Sequence, residues 1–413
     1  MAQIRPFYAL APSPGNAAVV SSLPNDVITE EEAREITAAN PLSFIKIVRP
    51  ETMFPVGTNP YSDEVYSKAA SLLSEWKNSG ILEKDNDRAF YLYRLIRNGH
   101  SQTGLVALSS VDDYLNGICK QHEHTVTEKE DDRVRHINAC HAQTGPIFLT
   151  YRPIAELKKL FAAIQEDAPL FDFTADYGIC HTVWKVSDPL LCRQITELFE
   201  QVPYTYIADG HHRSAAAVRT AVEMRKQNPG YTGEEEFNWF LSVLFPSDEL
   251  EILSCNRVVL DHNDLSDEDL LNQLKANYDV TPLREMCEPQ TRGSAHMYMS
   301  SKWYCITIKE EVLNERKSTV DRLDVSMLQE LVLSPILGIK DPRTDRRIEF
   351  VGGIKGISAL KETADRYDGA IAFAMYPTCI DDLMDIADSG EVMPPKSTWF
   401  EPKLRSGLFI HEI

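Results

Sequence analysis

Apolar positions along the chain follow two spacings, one typical of helices and one typical of strands. Residues 62–79 repeat apolar side chains three and four positions apart, which predicts an amphipathic helix. Residues 90–96 and 103–108 flank Asn98-Gly99 and predict a hairpin. The same reasoning predicts further helices at 29–39, 110–119, 153–165, 188–201, 214–227, 266–278 and 324–332. It predicts another helix that is capped by Thr127 with Glu130. It also predicts further strands at 44–48, 146–151, 181–186, 204–208, 256–260, 296–300, 303–308 and 346–353.

Strands and helices therefore alternate through most of the 413 residues, which predicts an α+β fold built of mixed α/β layers. A chain of this length exceeds what one hydrophobic core usually organises. The pattern of predicted strands and helices also changes after Pro246. We therefore expect an N-terminal α/β domain over residues 1–246 and a C-terminal α/β domain over residues 247–413.

The most informative stretch covers residues 204–219 and predicts a strand, a tight turn and a helix. The turn is Asp209-Gly-His-His-Arg213, in which Gly210 permits a backbone conformation that a Cβ would oppose. The first amides of a helix have no intrahelical acceptor, and Arg213 adds a planar fork of donors. We interpret the turn as an anion site in which Gly210, His212 and Arg213 hold a phosphate. The alternative is a turn whose aspartate caps the helix and whose histidines are solvated.

A second charged stretch lies around the helix that begins near residue 127. Lys129 and Arg133 fall with His136 on one face of that helix, and this face could meet an anion. The alternative is a solvated face with ion pairs between successive turns. His122 and Glu123 stand just before the helix, at a junction of loop and helix where catalytic carboxylates are often presented.

Composition and charge limit the classes of function. The chain is 43% hydrophobic and 25% charged, as expected of a globular enzyme. Its net charge of −20 repels nucleic acid phosphates and anionic membranes, so we expect neither as a partner. The start of the chain lacks the apolar core of a targeting segment, and the eight cysteines form no CxxC pair. We therefore expect a cytoplasmic chain with reduced thiols.

Histidines are dense enough to raise the question of a metal site, since seven of the eleven fall between His122 and His212. His122, Glu123 and His124 are too close in sequence for the usual ligand spacing on a helix, and no HExxH motif is present. We therefore predict no dedicated metal site. Mg²⁺ carried by a nucleotide needs only one or two carboxylates, which Asp209 or Glu123 could supply.

The C-terminal tail, residues 393–407, is rich in Lys, Arg, Ser and Thr within an acidic chain. Lys396, Ser397 and Thr398 are suitable donors to a phosphate. We predict that the tail packs back near the 209–213 turn. The alternative is a strand that docks elsewhere.

Several stretches together resemble the DUF1015 family, and the resemblance covers nearly the whole chain. The stretches are Arg5-Pro-Phe7, Asn40-Pro-Leu-Ser-Phe44, His122-Glu-His-Thr125 with Lys129 and Asp132-Arg133, Tyr206-Ile-Ala-Asp-Gly-His-His-Arg213, Pro335-Ile-Leu-Gly-Ile339 and Met393-Pro-Pro-Lys-Ser-Thr-Trp-Phe-Glu-Pro-Lys403. The family name itself assigns no reaction.

A second resemblance concerns chemistry. The 209–213 turn resembles the phosphate-binding turn of the ParB/sulfiredoxin superfamily, most of all that of its free-serine kinases. This resemblance implies a ParB/sulfiredoxin-like core elaborated by insertions. Those kinases carry a His-Glu pair upstream of the turn, and its Glu is the base on the serine hydroxyl. His122-Glu123 resembles that pair at a longer spacing, which implies Glu123 as the base, with Asp209 and His211 as further catalytic candidates.

The anion site and the second resemblance together lead us to expect a nucleotide-dependent phosphotransferase. It would be a kinase that uses ATP or ADP with Mg²⁺ and acts on free serine or a similar small hydroxyl metabolite. Its partners would be a small-molecule phosphate ligand and an amino-acid-like substrate. Two alternatives stay open. One is a phosphatase acting on phosphoserine or a related phosphometabolite, and the other is a non-catalytic nucleotide- or metabolite-binding regulator.

Overall fold

The computed structural model describes residues 1–413 and divides into two units. The first unit comprises residues 1–250 and 402–413, and the second comprises residues 251–401. The expected boundary after residue 246 is close to the observed one. Residues 402–413, expected in the second domain, belong instead to the first unit, because His411 and Glu412 pair with a strand of that unit.

The mixed α/β architecture predicted from the sequence is confirmed. The strands in chain order are β1 Ile4–Arg5, β2 Leu10–Pro12, β3 Leu82–Lys84, β4 Phe90–Arg97, β5 His100–Ser110, β6 Cys119–Lys120, β7 Ala142–Gln143, β8 Ile147–Tyr151, β9 Phe171–Thr174, β10 Cys180–Val186, β11 Thr205–Asp209, β12 Trp239–Pro246, β13 Glu251–Leu253, β14 Cys255–Val259, β15 Tyr278–Leu283, β16 Ser294–Met299, β17 Lys302–Ile308, β18 Ile348–Gly352, β19 Ile371–Met375, β20 Trp399–Glu401 and β21 His411–Glu412.

Fourteen α-helices alternate with these strands. They are α1 Ala17–Val20, α2 Glu30–Ala39, α3 Ile45–Val48, α4 Asp63–Asn78, α5 Val111–Leu115, α6 Thr127–Cys140, α7 Ala155–Ile164, α8 Pro189–Phe199, α9 His211–Gln227, α10 Asp267–Leu274, α11 Glu310–Asn314, α12 Asp324–Leu328, α13 Gly356–Ala364 and α14 Ile380–Ser389. Short 3₁₀ turns lie at Pro50–Met53, Asp176–Gly178, Glu236–Asn238, Ser247–Glu249 and Gly353–Lys355, and a π turn follows α12 at Gln329–Leu333. None of the helices is both long enough and apolar enough to cross a membrane.

The first unit is built on a nine-stranded mixed sheet. Its strand order is β6-β11-β8-β12-β5-β4-β10-β9, and β1 pairs with β5 as well. β6 runs parallel to β11 and β8 runs parallel to β12, whereas the other neighbours are antiparallel. The predicted hairpin is confirmed as β4 and β5, with Asn98 and Gly99 at positive φ in the turn.

The strand and helix that carry the candidate site are fixed by the core of this unit. β11 lies inside the sheet between β6 and β8, and its Tyr206, Ile207 and Ala208 are buried. The alanines of α9 lie in the same hydrophobic cluster as Ile207, including Ala217 and Ala221. Small side chains let the helix pack closely against its neighbours, so the start of α9 is held directly at the end of β11.

Two local predictions in the first unit need correction. Residues 44–48 were expected to form a strand, but they form α3, and Ile45, Ile47 and Val48 are all buried in one cluster with helices α2 and α4. Periodicity cannot separate a short, fully buried strand from a buried helical turn. α6 does begin at Thr127, but no side chain caps it, and Glu130 accepts a hydrogen bond from Thr125 instead.

The second unit contains a six-stranded antiparallel sheet of order β15-β17-β16-β19-β14-β18. The hairpin predicted near residues 296–308 is confirmed as β16 and β17. Asp324 is the first residue of α12, and no side chain caps that helix. Oδ1 of Asp324 accepts the amide hydrogen of Gly293 at 2.6 Å, which ties α12 to the start of β16. All eight cysteines of the chain are free thiols.

A buried carboxyl in the first unit predicts how stability changes with pH. Asp113 is 4% exposed, and burial raises its pKa to about 6, although the hydrogen bond from the Gln3 amide opposes the rise. The folded state therefore holds more protons than the unfolded state between the unfolded pKa and about pH 6. This group's contribution to stability falls as pH rises through that window.

We expect Asp113→Asn to raise the free energy of unfolding at neutral pH by about 1–2 kcal/mol, and to lose this advantage as the pH falls towards about 4. Thermal unfolding followed across that pH range measures the difference. Asp87→Asn is the matched control, because Asp87 is an exposed carboxylate elsewhere in the same unit. An Asp113→Asn protein that is no more stable than the wild type at neutral pH would contradict the assignment.

Candidate functional site

A glycine turn joins β11 to α9. Gly210 has φ 100° and ψ 32°, a left-handed conformation that side chains disfavour. A Cβ at this position would also stand 3.1 Å from Cζ of Arg213. The turn lets α9 begin at His211, three residues before the predicted start at Ser214, so both histidines and Arg213 belong to the first helical turn.

The first turn of α9 is suited to an anion. No side chain caps the helix, and the first bond within it is donated by the Ser214 amide to the Gly210 carbonyl. The amides of residues 211–213 therefore have no acceptor inside the helix, and the helix dipole adds positive potential at this end. Phosphate binding by Gly210 and His212 stays a prediction.

Asp209 lies between two cations. Its Oδ2 accepts a hydrogen bond from Nζ of Lys403 at 3.0 Å, and its Oδ1 is 3.8 Å from Nη2 of Arg213. All three side chains are largely buried, with Lys403 only 10% exposed. The tail therefore contacts the turn at Lys403, whereas its residues Trp399–Glu401 form β20 and pair with β13. The residue before the helix is Gly210, which has no side chain to cap it, and Asp209 precedes that residue.

Arg213 is held from several sides. Its Nη1 donates a hydrogen bond to the carbonyl of Pro146, and its Nη2 is 4.0 Å from Asp26 and 3.8 Å from Asp209. Its Nε is buried and has no hydrogen-bond partner. The guanidinium is thus fixed in position before a ligand binds.

The loop before α6 reaches the start of α9. Oε2 of Glu123 lies 3.7 Å from Nδ1 of His211, and the rings of His122 and His211 meet edge to face with centroids 4.4 Å apart. The Val126 amide donates to Nε2 of His212 at 3.0 Å, across 86 residues of sequence. The closeness that a role for Glu123 requires is therefore present in the structure.

Packing of α6 against α9 keeps this loop in place. Arg219 of α9 pairs with Asp131 and Glu130 of α6, and the two helices contact each other along several turns. The long segment between residues 123 and 209 supplies β8, β10 and the helices between them, so it extends the sheet instead of separating the two ends.

Burial sets the charge state of the two inner histidines. Burial lowers the pKa of His122 to about 4, against an opposing effect of Asp209. Burial also lowers the pKa of His211 well below its usual range, and nearby His122 adds to the effect. Both rings are therefore neutral at neutral pH, and they bring hydrogen-bonding nitrogens to the site without adding positive charge.

The other residues expected to bind phosphate belong to α6 and to the second unit. Arg133 and Arg213 line one cavity of about 30 Å³, although Arg133 is also bonded to Asp132. Lys129 is exposed on α6. Lys396, Ser397 and Thr398 belong to the second unit, where Oγ of Ser397 donates to the Pro394 carbonyl at 2.6 Å. Their part in phosphate binding stays a prediction.

His136 does not share the anion-facing stripe that the sequence suggested. It is 2% exposed, and its Nε2 bonds to the carbonyl of Ile47 at 2.8 Å, so it packs as a core side chain. The sequence alone does not show that His211 joins a group with His122 and Glu123, because ligand spacing along one segment cannot reveal a partner from another. The three side chains come from two segments that only the fold brings together.

Comparison with known proteins places this chain in a family. A family model described as "Protein of unknown function (DUF1015)" matches residues 4–326, well over half of the chain. The chain belongs to the DUF1015 family. The resemblance drawn from its motifs is thereby confirmed, and the DUF1015 match includes both the His122-Glu123 pair and the 209–213 turn. No curated protein matches the sequence.

Solved structures with a similar course of the chain include a mutant free serine kinase in complex with ADP, which is 16% identical in sequence. The match covers 73% of this chain and 92% of that chain, with a TM-score of 0.37. SbnI with a C-terminal truncation from Staphylococcus aureus is 12% identical, with coverage of 74% and 87% and a TM-score of 0.38. A conserved hypothetical protein from Pyrococcus furiosus is 15% identical, with coverage of 74% and 94% and a TM-score of 0.36. Likeness at this level does not decide the function of a DUF1015 chain.

The conformation of Gly210 predicts a cost for adding a side chain. We expect Gly210→Ala to lower the free energy of unfolding by about 1–2 kcal/mol from the left-handed backbone alone. It should also displace Arg213, because the new Cβ meets the guanidinium. Gly80→Ala is the control, since Gly80 also has positive φ but has open space around it. Chemical denaturation of both variants measures the costs, and a Gly210→Ala protein as stable as the wild type would contradict the geometry.

Proposed function

We propose that this DUF1015 chain is a nucleotide-dependent phosphotransferase, a kinase that transfers a phosphoryl group to free serine or a similar small hydroxyl metabolite. The observation that carries the proposal is the position of Glu123. Its carboxylate lies 3.7 Å from His211, beside the uncapped start of α9, although the two residues are far apart in sequence.

The transferred phosphate belongs at the start of α9. The amides of residues 211–213 and the helix dipole favour an anion there, and the guanidinium of Arg213 lies beside the turn. Lys403 and Arg213 also surround Asp209, so the local charge is balanced before a ligand arrives. Phosphate oxygens would then gain donors that are already fixed in position, which is the main contribution a protein makes to phosphoryl transfer.

Glu123 is the base in this proposal. A serine hydroxyl is a weak nucleophile at neutral pH and needs a base within hydrogen-bond reach. The hydroxyl proton passes to the carboxylate of Glu123, the hydroxyl oxygen bonds to the terminal phosphorus, and the bond from that phosphorus to the nucleotide breaks. The products are a phosphate ester and a nucleotide shortened by one phosphate. Neutral His211, 3.7 Å from the carboxylate, orients it.

The choice of substrate rests on the resemblance of the turn and of the His122-Glu123 pair to those of the free-serine kinases. The acidic residues fit magnesium less well. Both oxygens of Asp209 face the cations Lys403 and Arg213, so Asp209 has little capacity left to hold Mg²⁺ brought by a nucleotide. We therefore assign Asp209 the role of positioning Arg213 and Lys403, and not the role of a magnesium ligand.

Removing the base should abolish turnover and spare binding. We expect Glu123→Gln to lower the rate of phosphoryl transfer by about 10²–10⁴ while nucleotide affinity stays the same, because the amide keeps the shape but cannot take the proton. Steady-state kinetics with nucleotide and serine, together with calorimetric binding, measure the two effects. Glu128→Gln, an exposed change on α6, is the control. Full turnover by Glu123→Gln would remove Glu123 as the base.

Removing the guanidinium should weaken nucleotide binding. We expect Arg213→Ala to reduce the binding free energy by about 1.5–3 kcal/mol, the range for a hydrogen bond to a charged group. Isothermal titration calorimetry with ADP or ATP measures the loss. Lys226→Ala serves as the control, because Lys226 is exposed at the other end of the same helix. Unchanged affinity in a folded Arg213→Ala protein would place the phosphate elsewhere.

A further inference from the structure

Three side chains at the start of α9 form a group of metal-ligand type. They are His122, Glu123 and His211, and one ligand atom from each lies within 4.8 Å of those of the other two. Bonds of about 2.0–2.1 Å around a tetrahedral zinc ion place its ligand atoms about 3.4 Å apart. The 3.7 Å between Nδ1 of His211 and Oε2 of Glu123 is already close to that separation.

His122 has the features of an oriented ligand. Its ring bonds to the backbone of Ile207, and because Nδ1 has no partner, Nε2 makes that bond. Only 2% of the residue is exposed, so solvent does not satisfy Nδ1. Histidines that bind metals usually donate one ring N–H to a backbone carbonyl and present the other nitrogen to the ion. A buried nitrogen without a partner costs stability, which a bound ion would recover.

His211 and Glu123 supply the remaining donors. His211 is 5% exposed, its Nε2 is buried without a hydrogen-bond partner, and its Nδ1 faces Glu123. As the first residue of α9, its backbone is fixed by the Gly210 turn. The side chain of Glu123 is 35% exposed, which gives an ion a path from solvent and leaves room for water to complete the coordination.

The surrounding charges are compatible with a cation. Lys403 and Arg213 both face Asp209. Asp209 also lies close enough to both imidazoles to act on them electrostatically. Its negative charge therefore favours a cation near the two histidines.

We propose that His122, Glu123 and His211 bind one divalent transition-metal ion of the zinc type, through two imidazole nitrogens and one carboxylate oxygen. Two nitrogen donors suit Zn²⁺ and its first-row neighbours and disfavour Mg²⁺, which prefers oxygen. The bound ion occupies the carboxylate of Glu123, so it blocks phosphoryl transfer at the same site. This last consequence rests on the proposed function, whereas the binding itself does not.

Titration of the metal-free full chain with Co²⁺, followed by visible absorption, tests the site. We expect one Co²⁺ per chain, with the intense absorption of a four-coordinate site, displaced by Zn²⁺ and not by excess Mg²⁺. His122→Ala and His211→Ala should each lower the affinity for Co²⁺ by on the order of 100-fold. Loss of a metal ligand should cost at least as much affinity as loss of a residue that only orients a ligand. His124→Ala, an exposed change in the same loop, should leave the affinity unchanged.

Glu123→Gln keeps the test decisive if the buried histidine variants fail to fold. The side chain of Glu123 is partly exposed, so the variant should fold, and its affinity for Co²⁺ should also fall. Absence of saturable Co²⁺ binding to the wild-type chain overturns the site, as does binding that Glu123→Gln leaves unaltered. Serine phosphorylation by the metal-free chain that stops as Zn²⁺ fills the site supports the block. Co²⁺ bound at this group in a chain without any kinase activity supports the site and refutes the phosphotransferase.

Discussion

The left-handed backbone of Gly210 is the constraint on which the candidate site depends. It lets the chain leave the buried strand β11 and enter α9 within one residue. Because the helix starts so early, His211, His212 and Arg213 all lie in its first turn. His212 then accepts the Val126 amide, and this bond brings the His122-Glu123 loop onto the helix. A later helix start would separate the carboxylate from the amides that face the anion.

Charge is arranged around this turn so that an anion and a base can be neighbours. Asp209 holds Lys403 and Arg213 beside the helix, and it offsets their charge. The inner histidines are neutral because burial lowers the pKa of each. Glu123 therefore meets no cationic histidine that would weaken it as a base. Neutral imidazoles with partnerless nitrogens also explain how the same centre could accept either a substrate hydroxyl or a metal ion, with Glu123 common to both.

Local patterns predicted those parts of the fold that local physics decides. The helix predicted at 29–39 is present as α2, and its start has a capping box in which the Thr29 amide donates to Glu32 at 2.7 Å and the Glu32 amide donates to the Thr29 hydroxyl at 3.2 Å. The Asn98-Gly99 hairpin and the strand, turn and helix around Gly210 are also present, since each depends on neighbouring residues. The segment at α3 was predicted wrongly because its apolar run is buried on all sides, which hides its period.

Long-range contacts were harder to predict. The pairing of Lys403 with Asp209 and the approach of Glu123 to His211 join segments whose proximity is set by the sheet order. The sequence supplied candidates for these residues through their chemistry, but not their partners. Spacing within one segment likewise argued against a metal site, because it could not show that His211 stands beside His122.

The central claim is that a phosphate binds at the first turn of α9 within reach of Glu123. A crystal structure of the chain with ADP or a non-hydrolysable ATP analogue and serine tests it directly. The account predicts phosphate oxygens bonded to amides of residues 211–213 and to Arg213, with the serine hydroxyl between the phosphate and the Glu123 carboxylate. A nucleotide bound with its phosphates away from that turn, or with Glu123 directed away from them, would contradict it.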